Sequence, residues 1–185
     1  MKEWIISDTH FNHAKIIEYC NRPFSSVEEM NKTLIENWNS AVSKDDIVWH
    51  LGDFAMGTKE QVTQIVEQLN GRIYLVLGNH DNHTMKWYYD CGFAKVYDRP
   101  VLYRDFFIMS HHPRTANAPI YRYFYGHVHI QDEYRDFTSN SICVCAERFG
   151  YTPILIDDAL KIMKHAKKLN KQTQDTLRAL EILKN

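Results

Sequence analysis

The chain lacks any Cys-x-x-Cys pair; its four cysteines are Cys20, Cys91, Cys143 and Cys145. That spacing excludes a zinc ribbon and a thioredoxin-like motif. It also lacks a long apolar run: nothing approaches the roughly 20 residues that a membrane-spanning helix needs. The opening Met1-Lys2-Glu3-Trp4-Ile5-Ile6 carries an acid and is too short for the apolar region of a signal peptide. The expectation is a cytoplasmic protein without membrane insertion, its cysteines reduced and buried. An excess of either charge is missing too. Lys and Arg total 22 against 23 Asp and Glu, a net charge of −1, so no bulk attraction to nucleic acid or membrane follows. There is no internal repeat, no low-complexity segment and no interdomain linker. What remains, 185 residues with 44% hydrophobic and 24% charged side chains, describes one globular domain with a sizeable core.

Histidine is what the chain has, ten residues of it, and most of them stand in short motifs. The motifs are Asp8-Thr9-His10, Gly52-Asp53, Gly78-Asn79-His80-Asp81, Ser110-His111-His112-Pro113 and Gly126-His127-Val128-His129. Imidazole, carboxylate and amide oxygen are donors that a borderline divalent transition metal accepts. Residues two apart on an extended strand point to one side, so Asp8 and His10 can reach a single ion. Asp53 follows a glycine, where the chain can turn sharply, and its two oxygens allow it to bridge two ions. Asn79 offers a weak amide ligand, and His127 and His129 can each serve a different ion. Taken singly, D-x-H is common and Gly-Asp is an ordinary turn dipeptide. Their joint occurrence in order, each after an apolar run, points to a dinuclear metal site, and such pairs serve chiefly displacement at phosphorus.

The elements support that placement. Trp4–Ser7, Ile47–Leu51 and Ile73–Leu77 read as strands, each followed at once by a motif. Ala14–Tyr19, Val27–Ala41 capped by Ser26, and Thr58–Leu69 read as the helices between them. Alternation of this kind predicts parallel pairing, with ligands collecting beyond the carboxyl ends of the strands. Further on, Phe93–Tyr97, Val101–Tyr103, Phe106–Met109, Tyr121–Tyr125, Ser141–Val144 and Thr152–Ile156 read as strands joined mostly by hairpins. Residues 157–185 then read as helical, an extension carrying Lys161, Lys164, Lys167, Lys168 and Lys171. The fold class expected is α/β, two packed mixed sheets flanked by helices.

This set of motifs resembles the signature of the calcineurin-like metallophosphoesterase superfamily, over about residues 4–129. The resemblance implies a β-sandwich flanked by helices around two divalent metal ions. It places Asp8, His10 and His129 on the first ion, Asp53 as the bridge, and Asn79, His111 and His127 on the second. Of the adjacent His111 and His112 it selects His111, which stands before a variable residue and a proline. His80 would face substrate rather than ligate, with Asp81 orienting its ring. The implied activity is that of a hydrolase on ester bonds, a phosphodiesterase or phosphatase that attacks with a hydroxide held between the ions. Mn²⁺ is the working choice, with Fe, Zn, Co or Ni as alternatives. Larger protein phosphatases of the superfamily carry an arginine soon after Gly-Asp. Here the run is Gly52-Asp53-Phe54-Ala55-Met56-Gly57, which leans toward the small bacterial-type phosphodiesterase branch and toward diesters.

Other residues have both a functional and an ordinary reading. His13, Arg22 and His112 are candidates for substrate contact, against a helix cap, a salt bridge and simple packing. Arg114 and Arg148 carry the same choice as Arg22. Tyr121, Tyr123 and Tyr125, alternating with Arg122 and Phe124, can form a base-stacking platform or merely one strand of a sheet. The substrate expected is a small phosphoester or nucleotide. The rivals are a nuclease or nucleic-acid end-processing phosphatase, and a non-catalytic interaction scaffold. The last helix is also a surface on which a homodimer can form.

Overall fold

The computed structural model describes residues 1–113, 121–131 and 140–166. Strand β1 (Glu3–Ile6) leads through α1 (Ala14–Tyr19) and α2 (Val27–Ala41) to β2 (Ile47–His50). Helix α3 (Lys59–Gln68), β3 (Arg72–Val76), α4 (Met85–Asp90) and β4 (Lys95–Tyr97) complete the first half. The second half runs β5 (Val101–Tyr103), β6 (Phe107–Ser110), β7 (Arg122–Tyr125) and β8 (Ser141–Cys143). A 3-10 turn (Ala146–Phe149), β9 (Ile154–Leu155) and α5 (Ile156–His165) follow.

Local chemistry sets the helix starts. The Ser26 hydroxyl accepts from the Glu29 N–H at α2, and Thr58 with Gln61 closes a reciprocal capping box at α3. Helix α4 is not anticipated by periodicity, because its six residues are too few to show one; Thr84 caps it.

One sheet has the order β4-β3-β2-β1-β9, the other β5-β6-β7-β8. Strands β1 to β4 pair in parallel, as the intervening helices require, and β9 joins β1 antiparallel. The expectation of hairpins in the second half holds only for β5 with β6. Strands β6, β7 and β8 are mutually parallel. The 11 residues from 111 to 121 and the 15 from 126 to 140 are long enough for crossovers, which tight turns are not.

Strand alternation makes two cores. Trp4, Ile6, Val48, Ile73 and Leu75 point to the helical layer, where they meet Leu34, Trp38, Val62 and Ile65. Ile5, Ile47, Trp49 and Val76 point the other way, against Met109, Phe124 and Ile142 of the second sheet. The first sheet is therefore buried on both faces, which is why its strands read as continuous apolar runs. Ile156, Ala159, Ile162 and Met163 of α5 pack into the same inter-sheet core. The helix expected over 157–185 is thus seen as far as His165, integral to the core, and residues 167–185 lie outside those described.

Register then decides where the motifs emerge. Ile6 pairs with His50 and His50 with Leu75, the last residue but one of β3, so the three strands end within a residue of one another. Ser110, Tyr125 and Cys143 are likewise in step. Ser7 forms a parallel bridge with Cys145, which joins the two sheets at this shared edge. Every motif is delivered to one rim.

Candidate metal centre

Asp8, His10, Asp53, His127 and His129 all have positive φ, at 58°, 51°, 56°, 72° and 46°. Few non-glycine residues adopt this conformation, and each instance costs on the order of 1–3 kcal/mol. Such strain clusters where backbone is bent for a purpose, and here it turns side chains at the strand ends inward. The loops also touch: a Cβ on Gly52 would lie 2.6 Å from the Gly78 Cα. Only glycine permits the Asp53 loop and the Asn79 loop to sit that close.

The donor atoms face one another across the rim. His10 Nε2 lies 3.8 Å from Asp8 Oδ1 and 3.6 Å from Asp53 Oδ2. His129 Nε2 is 3.6 Å from Asp8 Oδ1. On the other side of Asp53, His111 Nε2 is 3.4 Å from the same Oδ2 and 2.9 Å from Asn79 Oδ1. His127 stacks edge-on with His111, ring centroids 5.1 Å apart. Asp8, His10 and His129 form one group with donor atoms within 4.8 Å of one another; Asp8, Asp53 and His111 form another, and His111, His112 and His127 a third.

Each side chain is held from behind. Asp8 Oδ2 accepts from the Ser7 hydroxyl, the His127 N–H at 2.9 Å and the Cys145 thiol at 3.3 Å, which leaves Oδ1 forward. Asp53 Oδ1 accepts from the His80 N–H at 2.8 Å and leaves Oδ2 forward. His111 Nδ1 donates to the Leu51 carbonyl at 2.8 Å, and His129 Nδ1 to Glu147 at 2.9 Å. In both rings Nε2 is the nitrogen presented to the cluster. Asp8 Oδ1 and His10 Nε2 are buried without a hydrogen-bond partner. Buried polar atoms are rarely left so, and a cation between them satisfies both. The donor set of imidazole, carboxylate and amide suits a divalent transition metal.

Charge follows the same logic. Burial pushes His10 down to about 2, so its ring is neutral and its lone pair available. Burial opposes protonation of His111 and His129 as well, but neighbouring hydrogen bonds and carboxylates overcome it. The Asp53 carboxylate holds His111 up to about 9, and Cys20, Glu147 and Asp8 hold His129 up to about 11. Burial raises Asp53, but His111, the His80 N–H and His10 more than reverse it, so its carboxyl falls well below the usual range. His111 and His129, the rings that face carboxylates most closely, hold their protons tightly, whereas burial pushes His10, His112 and His127 down.

Two expected roles are placed differently. Asp81 accepts at Oδ2 from the N–H groups of Asp53 (2.7 Å) and Gly78 (2.8 Å), and at Oδ1 from Phe54 (3.1 Å). Its carboxylate therefore ties the Asp53 loop to the Asn79 loop; the exposed His80 ring sits instead near His10, 5.4 Å between centroids, and His13, 6.2 Å. Burial and the nearby Asp53 charge push Asp81 up to about 6 despite those three donors. Arg22 is buried beneath the first motif, donating to the carbonyls of Asp8 (2.7 Å) and Thr9 (2.8 Å) and to Glu147. It lies behind the centre, away from the face where substrate would approach.

His13 and His112 do lie at the mouth, His13 beside His10 and His80, and His112 beside His127 at 4.3 Å. His50 is buried, bonded to Thr9, and pushed down to about 3 by burial, so it is a core residue. Tyr123 and Tyr125 are buried, which removes them as a stacking platform. Arg114, Lys167, Lys168 and Lys171 lie outside the described residues. The supporting residues Ser7, Cys145 and Glu147 stand in no motif, only Ser7 having a signal because it directly precedes Asp8. Arg148, a candidate for phosphate contact by sequence, donates instead to the carbonyls of His129 and Gln131.

The family described as calcineurin-like phosphoesterase matches residues 1–141 of the chain. A protein of Methanocaldococcus jannaschii, the uncharacterized protein MJ1445, is 39% identical over 175 residues, 90% of this chain and 93% of that one. The Gene 66 protein of Mycobacterium phage L5 is 43% identical over 86 residues, spanning 44% of this chain and 41% of its own length. Among solved structures, AQ665 of Aquifex aeolicus, a protein of unknown function, superposes with a TM-score of 0.66 at 25% identity. The match covers 87% of this chain and 98% of that one.

Proposed function

The chain belongs to the calcineurin-like phosphoesterase family, metal-dependent enzymes that act on phosphoester bonds, and from that premise we propose that it is a dinuclear phosphodiesterase. One observation supports this reading above the others. Asp53 Oδ2 stands between His10 Nε2 at 3.6 Å and His111 Nε2 at 3.4 Å, where a carboxylate shared by two ions would be. Asp8, His10 and His129 would complete one site, and Asn79, His111 and His127 the other. Bound there, the ions would supply Lewis acidity, lowering the pKa of a water toward about 7 and neutralising phosphate oxygens. Mn²⁺ is the metal proposed, with Fe, Zn, Co and Ni as its competitors.

The protein's own residues do the rest. His80, exposed and next to His10, would meet the phosphate or hand a proton to the leaving oxygen. His13 and His112 would flank the substrate on either side. Asp81 would act through the backbone, keeping the Asp53 and Asn79 loops in contact. Arg22 donates to carbonyls and to Glu147, and Arg148 donates to the carbonyls of His129 and Gln131. With those guanidinium groups committed behind the centre, the singly charged phosphate of a diester is a better match than a monoester dianion. The helix limits add one negative constraint: no described helix is long and apolar enough to cross a membrane.

The test is to strip the protein of metal, titrate Mn²⁺, and compare bis-p-nitrophenyl phosphate with p-nitrophenyl phosphate. Diester hydrolysis that saturates at two equivalents is expected. Preference for the monoester would replace phosphodiesterase by phosphatase on the same centre. Metal binding without turnover of either ester, or of single-stranded DNA or RNA, would favour an interaction scaffold.

A further inference from the structure

Glu147 and Arg148 stand in the 3-10 turn, and together they hold His129 from two directions. Glu147 Oε1 accepts from Nδ1 of the ring at 2.9 Å, and Arg148 Nε donates to the His129 carbonyl at 2.6 Å. The Glu147 side chain is 4% exposed and is paired with Arg22 Nη2 at 2.7 Å and Nε at 2.9 Å. Arg22 spends its other donors on the carbonyls of Asp8 and Thr9. One buried ion pair thus couples the Asp8 loop to the His129 ring. Those are the two places whose forward atoms, Asp8 Oδ1 and His129 Nε2, face each other at 3.6 Å.

We propose that Glu147 is a positioning residue for the ion of the Asp8, His10 and His129 site, and that Arg22 holds it in that role. The inference rests on the dinuclear reading above and assigns the two ions different support. A carboxylate behind an imidazole fixes the proton on Nδ1, orients the ring and makes Nε2 a stronger donor. Among the described residues, a carboxylate stands behind the ring of His129 in this way. His111 of the other site leans on the neutral Leu51 carbonyl. A buried carboxylate is costly unless it is paired, and Arg22 supplies the pairing without facing the ions.

The experiment is a calorimetric Mn²⁺ titration of the metal-stripped full chain, with the electron paramagnetic resonance signal of the coupled ion pair as a second readout. The variants are Glu147→Gln, and Glu147→Gln combined with Arg22→Met so that neither charge is left buried alone. In the wild type two ions bind. In both variants one of the two binding events should weaken about 10–100-fold while the other holds, and uncoupled Mn²⁺ signal should replace the coupled one. Folded variants that take both ions with wild-type affinity would overturn the assignment. Equal weakening of both events would overturn it too, since that is what a mere staple between loops produces. A wild type that binds fewer than two ions would instead remove the dinuclear reading on which the assignment stands.

Discussion

His80 and Asp53 are 2.8 Å apart through a backbone hydrogen bond, yet they should fail in opposite ways when removed. The His80 ring is exposed, and neither forward oxygen of Asp8 or Asp53 depends on it. His80→Ala should keep both ions, read by elemental analysis, while kcat falls by about 10²–10⁴-fold, the usual worth of a general acid. Loss of an ion from that variant would move His80 into the ligand set. Asp53→Ala should lose bound metal, because Oδ2 is the atom shared by both sides of the centre. At this scale the sequence was informative wherever a donor and its neighbours are adjacent in the chain. Asp8 with His10, and His127 with His129, are each visible as a pair by spacing, although not for the reason expected. All four lie just past a strand end with positive φ, so a left-handed bend and not extended alternation brings each pair together. Glu147 was not visible, since its partner His129 is 18 positions away and no pattern links them. Asp81 was visible as a residue but misread in role: adjacency suggested the His80 ring, whereas burial sends its carboxylate to three N–H groups.

Elements were legible where a period or a cap announces them. Helix α3 is bounded by its capping box, and Thr58→Ala should cost about 1 kcal/mol in urea unfolding. Activity should be unchanged, because the Thr58 side chain bonds within its own cap, to the Gln61 N–H, and not to a donor of the centre. Pairing direction was less legible, since a strand's sequence does not state which neighbour it takes. Strands β6 to β8 looked like a meander and are parallel, and only the connection lengths hinted at it. The tie between the two sheets was equally hidden. Glu3 of β1 accepts from the Tyr103 hydroxyl of β5 at 2.6 Å and from Arg104 at 2.8 Å. Partial burial raises the Glu3 pKa, but those two partners and Trp49 bring it below the ordinary value. A carboxylate depressed in the folded state stabilises above its unfolded pKa and loses that contribution as pH falls through the folded one. Wild type should therefore exceed Glu3→Gln in stability at pH 7, and the gap should narrow progressively as pH falls below about 4. A gap that does not narrow on acidification would show that the tie does not depend on the carboxylate's charge.

The whole molecule is built around a deficit of positive charge at one rim. Two sheets meet there through Ser7 and Cys145, five strained residues turn inward, and Asp8 Oδ1 and His10 Nε2 are buried with nothing to bond. Folding brings those groups together before any cation is counted, so the metal-free protein should carry a penalty that bound ions remove. An ion that binds the folded state alone stabilises it by RT ln(1 + [L]/Kd), about 2.7 kcal/mol at a hundredfold excess over Kd. For a domain of this size that is a rise in Tm of about 5–10 °C. Mn²⁺ should therefore raise the Tm of stripped protein by that amount, chelator should reverse it, and Asp53→Ala should blunt the response. Mg²⁺ at the same concentration should do much less, because it prefers oxygen ligands and retained waters to an imidazole-rich cage. Equal shifts with both metals, or a shift that survives Asp53→Ala in full, would place the stabilising cation elsewhere on the molecule and leave the orphaned atoms of the rim without an occupant.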